Sequence, residues 1–205
     1  MEKENKINRL LQAWPPKAVY LTAWLQKKGY STQLLNKYKK SKWIVPLGNG
    51  AMLRAGDTPT VEGALYALQK QAQLTVHPAA NTALQLAGRA HYLTFNHNEY
   101  ILFSQANESL PTWMKKYHWK EEIVHISSSF FPKDIGMVEQ EINGLSIQIS
   151  SPARALLECL YLIPQKQDLV ACYHLMEGLN NLRPAQVQQL LEACTSVKVK
   201  RLFLY

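Results

Sequence analysis

The chain has 205 residues, of which 47% are apolar and 19% are charged, so it can form one large or two small folded domains and falls outside the disordered class. Its formal net charge of +8 is unevenly distributed: residues 1–57 contain eleven Lys or Arg and three Asp or Glu, whereas residues 58–205 contain twelve of each. This asymmetry predicts an anionic partner for the N-terminal segment and a different role for the remainder.

The sequence disfavours secretion, membrane insertion and a disulfide framework. The N-terminus lacks the apolar stretch of a signal peptide. The longest apolar run, residues 155–163, contains Glu158 and is too short to cross a bilayer. Cys159, Cys172 and Cys194 form no CxxC pair, and we expect them to be small buried side chains. We therefore predict a cytoplasmic protein with no membrane association.

The residue pattern of the N-terminal segment predicts three short helices and a β-hairpin. Helical spacing of apolar residues covers residues 6–14, 17–29 and 32–42, and Ser31 is placed to cap the third helix. Two extended apolar runs then flank Gly48-Asn49-Gly50, whose glycines supply the positive backbone dihedral angles of a tight turn. A helix-turn-helix followed by a hairpin is a winged helix.

The third helix is the predicted DNA-reading element. Leu34, Leu35 and Tyr38 form its inward stripe, which leaves polar and basic residues on the opposite face. A run of lysines on a helix is usually only a solvated face. This face also carries uncharged side chains that can pair with adenine or contact a thymine methyl group. The candidate DNA contacts are Thr32, Gln33, Asn36, Lys37, Lys39, Lys40 and Lys42 on the helix, with Asn49 and Arg54 on the hairpin.

Two alternatives concern the same segment. RNA binding competes with DNA binding, although no aromatic-rich strand of the RRM type is present. Trp14, Trp24 and Trp43 could stack on bases, but a domain of this size needs large side chains in its core, and we expect all three there.

Residues 58–205 predict a larger α+β domain, which begins after the turn residues Asp57-Thr58-Pro59. Helical patterns cover residues 60–73, 79–88, 151–163, 168–179 and 183–194. Strand patterns cover residues 74–78, 91–95, 99–104, 122–127 and 144–149. The predicted fold class is therefore α+β, with a winged helix over residues 1–57 and a small sheet with helices over residues 58–205.

The sequence shows no recognisable catalytic or metal-binding motif. The three aspartates are far apart, the six histidines match no close ligand spacing, and the nucleophile elbow and the phosphate-binding loop are absent. We predict no cofactor, no metal site and no catalytic residue. An enzyme remains an alternative, and it would need a pocket lined by distant groups such as His91, His97 and Glu99.

Five segments in order resemble the AbiEi family, the antitoxins of bacterial type IV toxin–antitoxin systems associated with abortive phage infection. The segments are WIVPLGNGAMLRAGD, TVEGALYALQKQ, VHPAANTALQLAGRAHYL, SSPARALLECLYLIP and VKVKRLFLY. The resemblance runs from about residue 6 to the C-terminus. Family members often continue beyond this point, so the alternatives are a shorter member and an incomplete chain.

The resemblance implies a winged helix that binds inverted repeats in double-stranded operator DNA and represses its own operon. It also implies a C-terminal domain that counteracts a nucleotidyltransferase-like toxin, typically without a stable antitoxin–toxin complex. Residue patterns alone favour the DNA-binding role but identify no residue that acts on a toxin. The other hypotheses are a plain transcriptional regulator without a toxin partner and a protein-interaction module whose basic face docks an acidic protein.

Overall fold

A computed structural model describes residues 6–88 and 98–205 of the protein. The helices are α1 (Lys6–Gln12), α2 (Thr22–Lys27), α3 (Thr32–Lys40), α4 (Val61–Tyr66), α5 (Ala80–Leu86), α6 (Thr112–Lys116), α7 (Pro152–Leu162), α8 (Leu169–Gly178), α9 (Pro184–Ala193) and α10 (Val197–Leu204). The strands are β1 (Tyr20–Leu21), β2 (Ile44–Gly48), β3 (Ala51–Arg54), β4 (His77–Pro78), β5 (Glu99–Ser104), β6 (Glu122–Ser127), β7 (Met137–Ile142) and β8 (Leu145–Ser150).

The α+β prediction is confirmed, and most predicted elements occupy their expected places. Side chains cap α3, α4, α7 and α8 at their first turns; the capping residues are Ser31, Thr60, Ser151 and Asp168. Helix α6 and strand β7 were not predicted, because both are short and mix charged with apolar residues. The predicted strand over residues 91–95, together with His91 and His97, lies outside the described residues.

The chain forms two compact units, and unit 1 consists of Met1–Leu74, Leu110–Trp119 and Glu141–Ile147. Up to Arg54 it follows the order helix, strand, helix, helix and hairpin, and the sheet order is β1-β3-β2. This is the winged-helix topology that the sequence predicted.

Strand β1 replaces the first half of the helix predicted over residues 17–29, so that prediction was wrong in part. Tyr20 and Leu21 pair antiparallel with Met52 and Ala51 of β3. The apolar spacing of this segment is compatible with a helix, but pairing with a strand that is distant in the sequence decides its conformation. The helix therefore begins only at Thr22.

The β2–β3 hairpin has the predicted geometry. Gly50 adopts a φ of 87° in the turn, a left-handed conformation that glycine reaches without steric cost. The strand register shifts between Pro46 and Gly48, and β2 lies at the edge of the sheet. Both features suit Pro46, which has no N–H to donate to a neighbouring strand.

The core of unit 1 is built around Trp14, which is only 1% exposed and whose Nε1 donates to the Ala18 carbonyl at 2.8 Å. Tyr20 packs against it with ring centroids 4.1 Å apart, and burial raises the pKa of the Tyr20 phenol to about 12. Trp24 is half-buried beside this core. The expectation for Trp43 was wrong, since its side chain is 48% exposed at the start of the hairpin.

Residues beyond the hairpin complete unit 1. Helix α4 approaches the chain at Lys17 so closely that a Cβ atom on Gly63 would lie 2.1 Å from the Lys17 carbonyl oxygen. The helix continues as a π-helical turn over Ala67–Gln71, where the Gln71 amide accepts from Leu21 N and donates to Val19 O. The predicted boundary between residues 57 and 58 stays a prediction about which segment folds independently.

Unit 2 consists of Thr75–Ser109, Lys120–Gln140 and Gln148–Tyr205. Its sheet has the order β4-β5-β6, in which β4 pairs antiparallel with β5 and β5 pairs parallel with β6. Helix α7 is buried along almost its whole length, and α5, α8, α9 and α10 contribute to the same apolar core. The three cysteines are buried as predicted, and burial raises the pKa of the Cys172 thiol to about 11.

A buried carboxylate lies at the centre of unit 2. Glu158 on α7 accepts hydrogen bonds from Ala80 N at 3.0 Å and Ser150 Oγ at 2.9 Å, and Arg154 Nε donates to it at 2.8 Å. His77 Nε2 lies 3.5 Å from the same carboxylate. Burial alone would raise the pKa of Glu158, but His77 and the Arg154 guanidinium outweigh it and lower the pKa below the usual value for Glu.

We predict that Gly63→Ala destabilises the protein by about 1–3 kcal/mol, because the new methyl group would overlap the Lys17 carbonyl. Helix propensity alone predicts the opposite sign, a gain of up to about 1 kcal/mol. Urea unfolding measures the difference. Ala23→Gly, at an exposed position in α2, calibrates the propensity contribution. A stability at or above wild type for Gly63→Ala would contradict the close approach.

We predict that Glu158→Gln lowers the free energy of unfolding at pH 7 by about 3–5 kcal/mol, because it leaves the Arg154 charge buried without a counter-ion. Glu177→Gln is the control, since Glu177 is exposed in an ion pair with His174 and should contribute less than about 1 kcal/mol.

The difference in unfolding free energy between the wild type and Glu158→Gln should depend on pH. The pKa of Glu158 is lowered on folding, so its contribution is present above the unfolded-state pKa and is lost as the pH falls through the folded-state pKa. Unfolding curves from neutral pH down to about pH 3 should show the wild type converging on Glu158→Gln below the usual Glu pKa of about 4.3. A constant difference across that range would be inconsistent with an ionised Glu158.

Candidate nucleic-acid interface

Helix α3 is held with one face against the core of unit 1. The Ser31 hydroxyl accepts from Leu34 N at 3.3 Å and caps the first turn. Leu35 and Tyr38 are buried one turn apart, which fixes the rotation of the helix about its axis. The opposite face is consequently presented to solvent.

Five of the predicted contact residues share that exposed face: Thr32, Gln33, Asn36, Lys37 and Lys40. Thr32 lies at the first turn, where its hydroxyl accepts a hydrogen bond from the Gln26 amide of α2 at 3.0 Å. The Gln33 and Asn36 amides are one turn apart and exposed, so both could approach base edges in the same groove.

The other two lysines of this segment lie apart from that face. Lys39 is half-buried and follows Leu35 by four residues, which places its stem on the side of the helix that faces the core. Lys42 is exposed beyond the helix end in a left-handed conformation, with a φ of 55°. It extends the positive charge from the helix towards the start of the hairpin.

The two hairpin residues lie at opposite ends of the hairpin. Asn49 is exposed in the turn, and the neighbouring Gly50 carbonyl accepts from Thr22 N at 2.9 Å, which holds the turn against the start of α2. Arg54 instead pairs with Ile44 at the base of the hairpin, about 13 Å along the strand from the turn. Its guanidinium donates to the Trp14 carbonyl at 3.2 Å, so part of its hydrogen-bonding capacity stabilises unit 1.

Unit 1 is more basic than its N-terminal segment up to Asp57 alone. Its three segments contain fourteen Lys or Arg and five Asp or Glu, a net charge of +9, whereas unit 2 has a net charge of −1. Two exposed lysines of α6, Lys115 and Lys116, contribute to this charge although they lie far beyond the hairpin in the sequence. Sequence reasoning missed them because their position depends on tertiary packing.

The alternative of a catalytic or metal site concerns the titratable groups and one cavity of unit 2. Among residues 6–88 and 98–205, no group of three His, Cys, Asp or Glu side chains could hold a metal ion. Glu99 is half-buried on β5. A cavity of about 310 Å³ is mainly apolar, and its lining residues are Leu160, Leu169, Cys172, Tyr173, Met176, Leu202 and Tyr205. No helix of the described residues is long and apolar enough to cross a membrane.

Comparisons with known proteins cover nearly the whole chain. Residues 3–95 match a family described as "Transcriptional regulator, AbiEi antitoxin N-terminal domain", and residues 97–205 match one described as "Transcriptional regulator, AbiEi antitoxin, Type IV TA system". No curated protein matches the chain significantly.

A solved structure shares the fold. The crystal structure of the RV2827C protein from Mycobacterium tuberculosis has a TM-score of 0.57 at 12% sequence identity, and the match covers 95% of this chain and 72% of that chain. At this identity, the likeness concerns the fold alone.

Proposed function

Because the chain belongs to the AbiEi family of antitoxins and transcriptional regulators of type IV toxin–antitoxin systems, we propose that it represses its own operon by binding operator DNA through α3 and the β2–β3 hairpin. The observation that supports this most directly is the exposed face of α3, which combines uncharged amides with lysines on the second helix of the helix-turn-helix.

In this proposal the α3 side chains have two roles. Gln33 and Asn36 read base edges in the major groove, where an amide can pair bidentately with adenine, and the Thr32 methyl group contacts a thymine methyl. The lysines bind phosphates and position the helix without carrying sequence information. Lys37 and Lys40 are best placed for this, while Lys39 and Lys42 lie at the margin.

The hairpin contributes a second contact. Asn49 at its exposed turn is placed to reach the backbone or minor groove beside the site occupied by α3. Arg54 is assigned a supporting role at the base of the hairpin, since its guanidinium already binds the Trp14 carbonyl. The family further suggests that two copies occupy inverted repeats in the promoter, so that each repeat receives one α3 helix.

The antitoxin role rests on the family alone. We propose that the protein counteracts a cognate nucleotidyltransferase-like toxin without forming a stable complex with it. Co-expression with the toxin encoded in the same operon tests this: growth should be restored, and the two proteins should elute separately in size-exclusion chromatography. Restored growth together with co-elution would contradict the absence of a stable complex.

We expect gel-shift titrations to show binding to the protein's own promoter in one step per repeat, and weaker binding to a scrambled duplex. If about five basic side chains contact phosphates, affinity should fall a few hundred-fold between about 50 and 200 mM salt. Equal, salt-sensitive binding to both duplexes would show that the lysines bind DNA without sequence preference and would contradict operator binding. A protein partner would then have to be sought instead.

Single substitutions at the reading face test the base contacts. Gln33→Ala and Asn36→Ala should each reduce discrimination between operator and scrambled DNA by roughly 1–3 kcal/mol, with little change in the salt dependence. Asn8→Ala and Gln12→Ala are matched controls, because they remove the same amide groups from exposed positions on α1. Unchanged discrimination in the α3 variants would remove both residues from the readout.

A further inference from the structure

Helix α6 lies directly against the hairpin within unit 1. A Cβ atom on Gly48 would lie 2.7 Å from Trp113 Cβ and 3.3 Å from Trp113 Cα, so the two backbones approach closely at this point. Gly48 ends β2 and immediately precedes the exposed Asn49 turn. The segment of α6 is therefore a neighbour of the hairpin turn, even though the two are far apart in the sequence.

The packing of α6 leaves its charged side chains outside. Trp113 and Met114 are buried, whereas Lys115 and Lys116 in the last turn are exposed. Residues three apart on a helix are neighbours, with Cβ atoms about 5–6 Å from each other. The Cβ atom of Lys116 therefore lies one helical turn from Trp113, the residue that contacts the hairpin. The segment Leu110–Trp119 contains no acidic residue.

We propose that Lys115 and Lys116 bind backbone phosphates of the duplex beside the hairpin and so lengthen the DNA footprint beyond α3 and Asn49. This inference rests on the proposed DNA-binding function and adds a contact from a segment outside the predicted winged helix. A lysine ammonium on a flexible stem serves as a point charge for phosphate and requires no base-specific geometry. The contact therefore strengthens binding to any sequence.

Duplex DNA fits this surface better than an acidic protein because of what surrounds it. The two lysines belong to unit 1, whose fourteen basic and five acidic residues give it a net charge of +9. The same unit carries amide side chains that are suited to base edges. The phosphates of a duplex recur at regular spacing, so the ammonium groups of Lys115 and Lys116 can bind them whatever the base sequence.

The test uses the full chain with both lysines replaced, Lys115→Gln together with Lys116→Gln, in gel shifts over a series of salt concentrations. Each lost phosphate contact lowers the slope of log affinity against log salt by about 0.9, which is roughly eightfold in affinity at about 0.1 M salt. We expect the slope to fall by about 1–2 on operator and scrambled duplexes alike, with an unchanged ratio between them.

The matched control is Lys133→Gln together with Lys166→Gln, which removes the same charge from exposed positions of unit 2. It should leave the slope unchanged. Equal slopes for the α6 variant and the wild type would overturn the proposal, and so would an equal loss in the control variant, since that would indicate a general effect of net charge. A thermal melt of both variants should match the wild type, because all four side chains are exposed.

Failure of the operator function gives a different result. If the wild type does not discriminate the promoter from scrambled DNA, the repressor proposal fails, but the salt slopes on scrambled DNA still decide whether α6 touches phosphate. Tighter binding to duplex RNA of the same sequence, with the same loss in the α6 variant, would overturn the assignment to DNA.

Discussion

The pairing of β1 with β3 is the constraint on which the candidate interface depends. Two residues, Tyr20 and Leu21, connect the chain before α2 to the second strand of the hairpin. The next residue donates its N–H to the Gly50 carbonyl in the hairpin turn. Because α2 starts at the hairpin and a short turn leads into α3, these few hydrogen bonds determine the positions of α3 and the hairpin turn together. A shift of one residue in this register would invert the faces of β1 and separate Tyr20 from the core.

The two units use their polar residues differently. In unit 1 the polar and basic side chains lie on the surface of α3, α6 and the hairpin, while the core beneath is aromatic and aliphatic. In unit 2 a charged group is buried instead, and Glu158 joins the start of α5, the end of β8 and the first turn of α7. Within the part of the chain that the structure describes, the Glu158 carboxylate contacts Ala80, Ser150, Arg154 and His77, which lie in the elements packed around it. The perturbed pKa of Glu158 thus has a structural cause.

Unit 1 is assembled from separate parts of the chain. Residues up to Arg54 provide the winged helix, α4 closes against the segment at Lys17, and α6 packs beside Gly48. Close contacts at two glycines, Gly48 and Gly63, allow backbones to meet where any side chain would intrude. Unit 1 therefore brings a net charge of +9, against −1 for unit 2, onto a unit that no single stretch of sequence forms.

Local sequence signals determined much of this protein. Capping residues indicated where α3, α4 and α7 begin, and the Gly-Asn-Gly segment indicated the hairpin turn. Helical spacing indicated that Gln33 and Asn36 lie on the exposed face of α3. Each of these signals depends on residues within a few positions of one another.

Tertiary structure decided the rest. Strand β1 exists because β3 is beside it, and Arg54 lies at the base of the hairpin because the register pairs it with Ile44. Of the aromatic residues of this segment, Trp14 and Tyr20 are buried in the core whereas Trp43 is exposed. Lys115 and Lys116 belong to the basic unit 1 through a contact between segments far apart in the sequence, and no local pattern encodes a contact at that separation.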